Sequence, residues 1–139
     1  MKFLGIDYGT KRLGFATSDA SGRIAFPVAV AKNNLMLLPK IDAIIKSENI
    51  GEIVVGESLD FQNMPNLLQR EIDFFIKKIT KRYKLPIHKE KEFFSSAEAH
   101  GRQGKESMHS RQTQIKKTEE LDAKAAAIIL QRYLDKINK

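Results

Sequence analysis

An aspartate near the N-terminus has neighbours that suit phosphate chemistry. Asp7 lies at the end of an apolar segment, residues 3–8, and is followed by Gly9, Lys11 and Arg12. Glycine lets the backbone approach a ligand closely, and the two cations suit a phosphate group. Asp7 could instead accept a hydrogen bond within the turn that follows it. Because glycines flank it on both sides, we favour a functional carboxylate.

A second aspartate lies near the C-terminus on an apolar helical stripe. Asp122 has the helical spacing of Ala126 and Ile129, which are expected to cover a sheet. The other interpretation is a first-turn acid that favours the helix dipole, but Glu119 and Glu120 already serve that purpose. A carboxylate that points into the core costs free energy unless it pairs with a cation or accepts a hydrogen bond. We therefore expect Asp122 to meet a metal ion.

Two glutamates follow or end later apolar segments. In a parallel arrangement, Glu57 and Glu92 would lie at the same carboxyl edge of the sheet as Asp7. Clustered carboxylates repel one another unless a divalent ion neutralises them, and Mg²⁺ (or Mn²⁺) prefers oxygen ligands. Such ions could activate water for phosphodiester hydrolysis. A solvated loop acid is an equally good interpretation of Glu57, and Glu90 is a substitute candidate for Glu92.

The surrounding pattern predicts an α/β domain that would position these acids. Apolar segments at 3–8, 13–18 and 24–30, separated by turn-forming residues, predict three antiparallel strands. A helix over 38–48, a buried strand over 53–56, a helix after Pro65 and a strand over 85–92 follow. A final amphipathic helix begins near Glu119. We expect a single domain over residues 1–139.

Basic residues predict a polyanionic partner. The net charge is +7, from 24 Lys and Arg against 17 Asp and Glu. A polar segment, 101–118, lacks an apolar period, so we expect a mobile basic loop there. The expected nucleic-acid contacts are Lys11, Arg12, Arg102, Lys105, Arg111, Lys116 and Lys117. An ordinary solvated surface would also account for the charge.

Composition excludes several kinds of site. The chain has no cysteine, so disulfides, thiolate zinc sites and cysteine nucleophiles are excluded. His88, His100 and His109 lack the spacing of metal ligands. The N-terminus does not resemble a signal peptide and no apolar run approaches membrane-spanning length, so we expect a cytoplasmic protein.

Four motifs together resemble the YqgF/RuvX family, and the resemblance spans nearly the whole chain. The motifs are the glycine-rich stretch 5–14, the strand 53–56, the Ser-Ser-Ala-Glu-Ala stretch 95–99 and the helix 121–131. The resemblance implies an RNase H-like fold with a five-stranded mixed sheet, its first three strands antiparallel, flanked by helices.

The same resemblance implies a metal-dependent nuclease, a hydrolase acting on ester bonds. Its expected function is 5′-end maturation of pre-16S rRNA in ribosome biogenesis, with Holliday junction resolution as the alternative. By motif, Asp7, Glu92 and Asp122 match the catalytic, metal-binding acids, and Glu57 is expected as a further catalytic acid that replaces acidity lost at Lys91. Lys91 and Phe93 stand where the family usually has Asp and Arg.

Two other functional classes are compatible with parts of the sequence. The Gly-Ile-Asp-x-Gly-Thr opening, 5–10, also resembles the phosphate loop of the actin and sugar-kinase ATPases, but those bind nucleotide between two such domains. A non-catalytic nucleic-acid-binding module would keep the fold and the basic loop. Structured RNA and branched DNA both remain open as substrates, and so do a monomer and a homodimer.

Overall fold

A mixed sheet is the centre of the molecule. The computed structural model describes residues 1–57, 65–90 and 111–139. Within these ranges there are five strands and three helices. In chain order they are β1 (Lys2–Tyr8), β2 (Arg12–Ser18), β3 (Ala25–Lys32), α1 (Leu37–Glu48), β4 (Ile50–Glu57), α2 (Pro65–Tyr83), β5 (Ile87–Glu90) and α3 (Arg111–Ile137).

The strand directions bring several strand ends to one place. The sheet order is β3-β2-β1-β4-β5. β1, β2 and β3 are antiparallel in succession, whereas β4 runs parallel to β1 and β5 runs parallel to β4. We call the end of the sheet at which β1, β4 and β5 finish its carboxyl end. β3 also ends there and β2 begins there, as the antiparallel pairing requires.

Alternate residues of the strands face two separate helical layers. Leu4, Ile6 and Phe15 belong to the apolar cluster formed with α1 and α2. Phe3 and Val54 belong to a second cluster, formed with α3. Because both faces of β1 and β4 are covered, these strands have near-continuous apolar sequences.

A polar clamp joins α1 to α2. Arg82 donates two hydrogen bonds to the carboxylate of Asp42, at 2.9 and 2.6 Å, and the Tyr83 hydroxyl donates a third at 2.6 Å. These donors lower the pKa of Asp42 to about 2, the arginine contributing most. Burial, together with the Asp42 carboxylate, raises the pKa of Tyr83. The clamp fixes the two helices on the face opposite α3.

The last helix begins earlier than the sequence indicated. α3 starts at Arg111, so the predicted loop over 101–118 is wrong for residues 111–118, and Glu119 and Glu120 lie inside the helix. Apolar periodicity reports packing, whereas Gln, Lys and Arg are good helix formers without it. Residues 101–110 lie outside the described ranges, as does the 95–99 motif.

None of the helices within the described residues combines the length and the apolar character needed to cross a lipid bilayer.

Candidate active site

Asp7 is a buried carboxylate near the carboxyl end of the sheet. Only 4% of the residue is exposed. It lies on the face covered by α3, because Phe3 and Gly5, at alternate positions of β1, contact that helix. Its partner on each neighbouring strand is a glycine, Gly14 on β2 and Gly56 on β4. The two residues next to Asp7 in its row of the sheet are therefore both glycines.

The glycines beside Asp7 let α3 approach the sheet closely. A Cβ atom on Gly14 would lie 1.9 Å from the main-chain oxygen of Asp122, and one on Gly56 would lie 2.6 Å from Cδ1 of Ile129. Because Gly14 is the cross-strand partner of Asp7, this contact places Asp122 over the strand next to Asp7. The structure thus places the main chain of Asp122 against the strand next to Asp7, although the two acids come from opposite ends of the chain.

Asp122 forms an ion pair that the sequence did not reveal. Nε of Arg12 donates to Oδ2 of Asp122 at 2.7 Å, with the two side chains 34% and 23% exposed. Arg12 is the first residue of β2, so it lies at the carboxyl end of the sheet. The arginine predicted to bind phosphate therefore also holds the carboxylate predicted to bind metal. Lys11, one residue earlier, is exposed.

Glu90 occupies the same row of the sheet. Its partner on β4 is Gly56, which is also the partner of Asp7, so the backbones of the two acids are about 10 Å apart. Glu90 is 6% exposed and forms an ion pair with Lys136 of α3. That contact ties the C-terminal half of α3 to the edge strand. This ion pair gives Glu90 a structural role.

The turn after Asp7 is held by one asparagine. The Asn33 side-chain amide donates to the main-chain oxygen of Gly9 at 3.0 Å and to the Tyr8 hydroxyl at 3.3 Å. The Asn33 main-chain N–H donates to the oxygen of Lys11 at 2.9 Å. Burial raises the pKa of Tyr8. Asn33 thus fixes the glycine turn that presents Lys11 and Arg12, a role with no local signal in the sequence.

The other predicted site residues fall at or beyond the limits of the described ranges. Glu57 is the last residue of β4 and pairs with Tyr8, one position beyond the row of Asp7. Glu92, Arg102 and Lys105 lie outside the described ranges. The remaining predicted basic contacts, Arg111, Lys116 and Lys117, lie in the first two turns of α3.

The donor chemistry of the two aspartates fits a hard divalent cation. Asp7 and Asp122 offer carboxylate oxygens, the ligands that Mg²⁺ prefers, and a buried carboxylate such as Asp7 is stabilised by a cation. Within the described part of the chain, no group of three or more acidic, histidine or cysteine side chains is placed to hold a metal. A third ligand would have to come from elsewhere, and Glu92 is the residue that the sequence motif offers.

Comparison with known proteins finds relatives that match nearly the whole chain. A family model described as "RuvX: Holliday junction resolvase" matches residues 1–136. A protein of Maridesulfovibrio salexigens, named "Putative pre-16S rRNA nuclease", is 35% identical over 136 residues, covering 96% of this chain and 98% of the relative. A protein of the same name from Lawsonia intracellularis is 36% identical, covering 97% and 94%.

Solved structures of resolvases share the fold. Thermus thermophilus RuvC in complex with a Holliday junction substrate superposes with a TM-score of 0.58, covering 99% of this chain and 96% of that one. The Fowlpox virus resolvase in complex with Holliday junction DNA gives 0.57, with complete coverage of both chains. Each is 14% identical to this chain, so the likeness concerns the fold.

Proposed function

Because this chain belongs to the RuvX Holliday junction resolvase family, we propose that it is a nuclease whose active site contains Asp7 and Asp122 at the carboxyl end of the sheet. The observation that carries the proposal is the contact of α3 with Gly14, which brings Asp122 to the strand beside Asp7. The main chain of Asp122 lies against the strand next to Asp7, and Lys11 and Arg12, two cations suited to a phosphate, lie at the same end of the sheet.

The proposed reaction is hydrolysis of a phosphodiester bond with a divalent metal. Asp7, Asp122 and, by its motif, Glu92 would hold Mg²⁺ or Mn²⁺. When bound, the ion supplies an activated water and neutralises charge on the phosphate. Arg12 keeps the Asp122 carboxylate oriented through its 2.7 Å hydrogen bond. Lys11, exposed on the adjacent turn, is suited to attract the phosphate backbone.

The proposed substrate is the 5′ end of a ribosomal RNA precursor. The support for a ribosomal RNA precursor is the name of the relatives at 35% and 36% identity, which refers to pre-16S rRNA, and the 5′ end is what the resemblance to the YqgF/RuvX family implies. Branched DNA is the second candidate, because the family description refers to Holliday junctions. A cytoplasmic location belongs to the same proposal, since that is where a bacterial ribosomal RNA precursor would be met.

The test compares cleavage by the wild-type protein and Asp7→Asn, with Asp73→Asn as the matched control. Asp73 is an exposed acid of α2, on the other face of the sheet, so both variants remove one negative charge. We expect Asp7→Asn to lose more than about 100-fold in rate, since changes around metal ligands commonly cost about 10–100-fold. Asp73→Asn should retain wild-type activity.

The substrates are a precursor RNA with an extended 5′ end and a four-way DNA junction, each with Mg²⁺, Mn²⁺ or chelator. Metal-dependent cutting of the RNA, lost in Asp7→Asn, supports the proposal in full. Preferential cutting of the junction would support the proposed nuclease activity and would make branched DNA the substrate instead of the precursor RNA. Cleavage by Asp7→Asn at the wild-type rate, with both variants folded by circular dichroism, would refute the assignment of the site.

A further inference from the structure

A basic cleft opens beside the candidate active site. Its volume is about 340 Å³, within the range of about 300–1,000 Å³ typical of sites for small molecules. Three cations and three apolar residues account for most of its lining: Arg12, Lys32, Lys40, Val30, Ala31 and Met36. We refer to it as the β3–α1 cleft, because these residues come mainly from the end of β3 and the start of α1.

The β3–α1 cleft lies at the carboxyl end of the sheet. β2 begins at Arg12 and β3 ends at Lys32, and these two residues are cross-strand partners. Arg12 lines the cleft, and its Nε also contacts the Asp122 carboxylate. Arg12 would therefore lie between a ligand in the cleft and the Asp122 carboxylate.

The charge of the cleft selects an anion. Lys32 and Lys40 are exposed, and together with Arg12 they supply three positive charges. The lining contributed by the described residues contains no Asp or Glu. Lysine and arginine are the usual partners of phosphate oxygens in nucleic-acid complexes.

The apolar part of the lining distinguishes a nucleotide from a simple anion. Val30, Ala31 and Met36 offer apolar surface between the cations, and Met36 is 68% exposed. A nucleotide presents both features, because its phosphate is charged and its base and sugar carry apolar faces. Inorganic phosphate would leave the apolar surface unused.

We propose that the β3–α1 cleft binds one nucleotide of the substrate strand, with its phosphate on Lys32 and Lys40 and its base or sugar against Met36. The inference rests on the proposed function and adds the path of the strand to it. Arg12 joins the two sites, so a strand seated in the cleft continues toward Asp122 and Asp7.

The test measures binding of a labelled single-stranded RNA by fluorescence anisotropy, in chelator so that no cutting occurs. The cleft variant is Lys32→Gln with Lys40→Gln. The matched control is Lys46→Gln with Lys78→Gln, two exposed lysines of α1 and α2 outside the cleft lining. Both double variants remove two positive charges, so general attraction of the polyanion falls equally.

We expect the cleft variant to bind about tenfold more weakly than the control variant at low salt. The slope of log affinity against log salt should also flatten by about 1.4, since each lost phosphate contact on a single strand removes about 0.7. Met36→Ser should weaken binding without changing the slope. Equal affinities and slopes for the cleft and control variants would overturn the proposal.

A competition experiment tests whether the cleft binds a nucleotide within a strand or a free nucleotide. A nucleoside monophosphate should displace the RNA only at a much higher concentration than an unlabelled strand does. Displacement at equal concentration would assign the cleft to a free nucleotide and overturn the proposal. Cleavage by the wild-type protein is measured in parallel. If the wild-type protein cleaves RNA and the cleft variant binds it as tightly as the control variant does, the cleft proposal is wrong and the nuclease proposal stands.

Discussion

At the scale of single residues, the contact between Arg12 and Asp122 joins a residue proposed to bind the substrate to an acid proposed to bind the metal. Nε of Arg12 donates to Oδ2 of Asp122, and this rigid, planar donor favours one direction of the carboxylate. Lysine would keep the charge and lose that geometry. The pair is partly exposed, so its value for stability is modest, about 0–1 kcal/mol. Its greater consequence should be for orientation of Asp122.

We expect Arg12→Lys to lower the cleavage rate about 10–100-fold and to raise the Mg²⁺ concentration needed for half-maximal activity. The reason is that Asp122 loses the Nε donor that orients it. The measurement is a Mg²⁺ titration of cleavage at saturating substrate. Lys11→Gln is the comparison: it should raise KM through weaker phosphate contact and leave the Mg²⁺ midpoint unchanged. An unaltered midpoint in Arg12→Lys would contradict the positioning role.

At the scale of elements, the site depends on how closely α3 lies against the sheet. Gly14 faces the main chain of α3, which cannot move without displacing Asp122, whereas the atoms facing Gly56 belong to the Ile129 side chain. The Ile129 side chain can change rotamer to make room beside Gly56, whereas room beside Gly14 requires a shift of the whole helix. The position of Asp122 relative to Asp7 is therefore controlled mainly from β2.

Gly14→Ala should lower the free energy of unfolding by about 3 kcal/mol and reduce cleavage by the molecules that remain folded. The added Cβ would lie 1.9 Å from the Asp122 oxygen, so α3 must shift. Gly51→Ala is the matched control, because its Cβ would meet only the flexible, exposed side chain of Met1. Urea denaturation and cleavage assays measure both effects. Equal stabilities for the two variants would show that α3 is not held as described.

The strands were predictable from the sequence, whereas the start of the last helix was not. The strands were identified because apolar alternation and turn residues are local signals, and the five-stranded mixed sheet is confirmed, as are the family and the nuclease class. The start of α3 was missed because its first turns carry no apolar period. The contact of Arg12 with Asp122 was missed because it joins β2 to α3 and leaves no pattern in either segment.

At the scale of the whole molecule, the proposed active site requires the completed fold. Asp7 comes from the first strand and Asp122 from the last helix, and Asp122 lies over the strand next to Asp7 only after α3 has docked on the sheet. An unfolded chain keeps the same carboxylates but does not hold them together. A cation held by both acids, as proposed, would therefore favour the folded state by mass action.

Mg²⁺ should accordingly raise the free energy of unfolding of the wild-type protein, by about 2.7 kcal/mol at 100 times its Kd. Chelator should remove the effect. Asp7→Asn should show little Mg²⁺-dependent stabilisation, because it lacks one of the acids, while Asp73→Asn should respond like the wild type. Thermal unfolding across a Mg²⁺ series, at constant ionic strength, measures this without any substrate. Equal stabilisation of wild type and Asp7→Asn would mean that the ion binds elsewhere and that the folded arrangement of Asp7 and Asp122 serves another purpose.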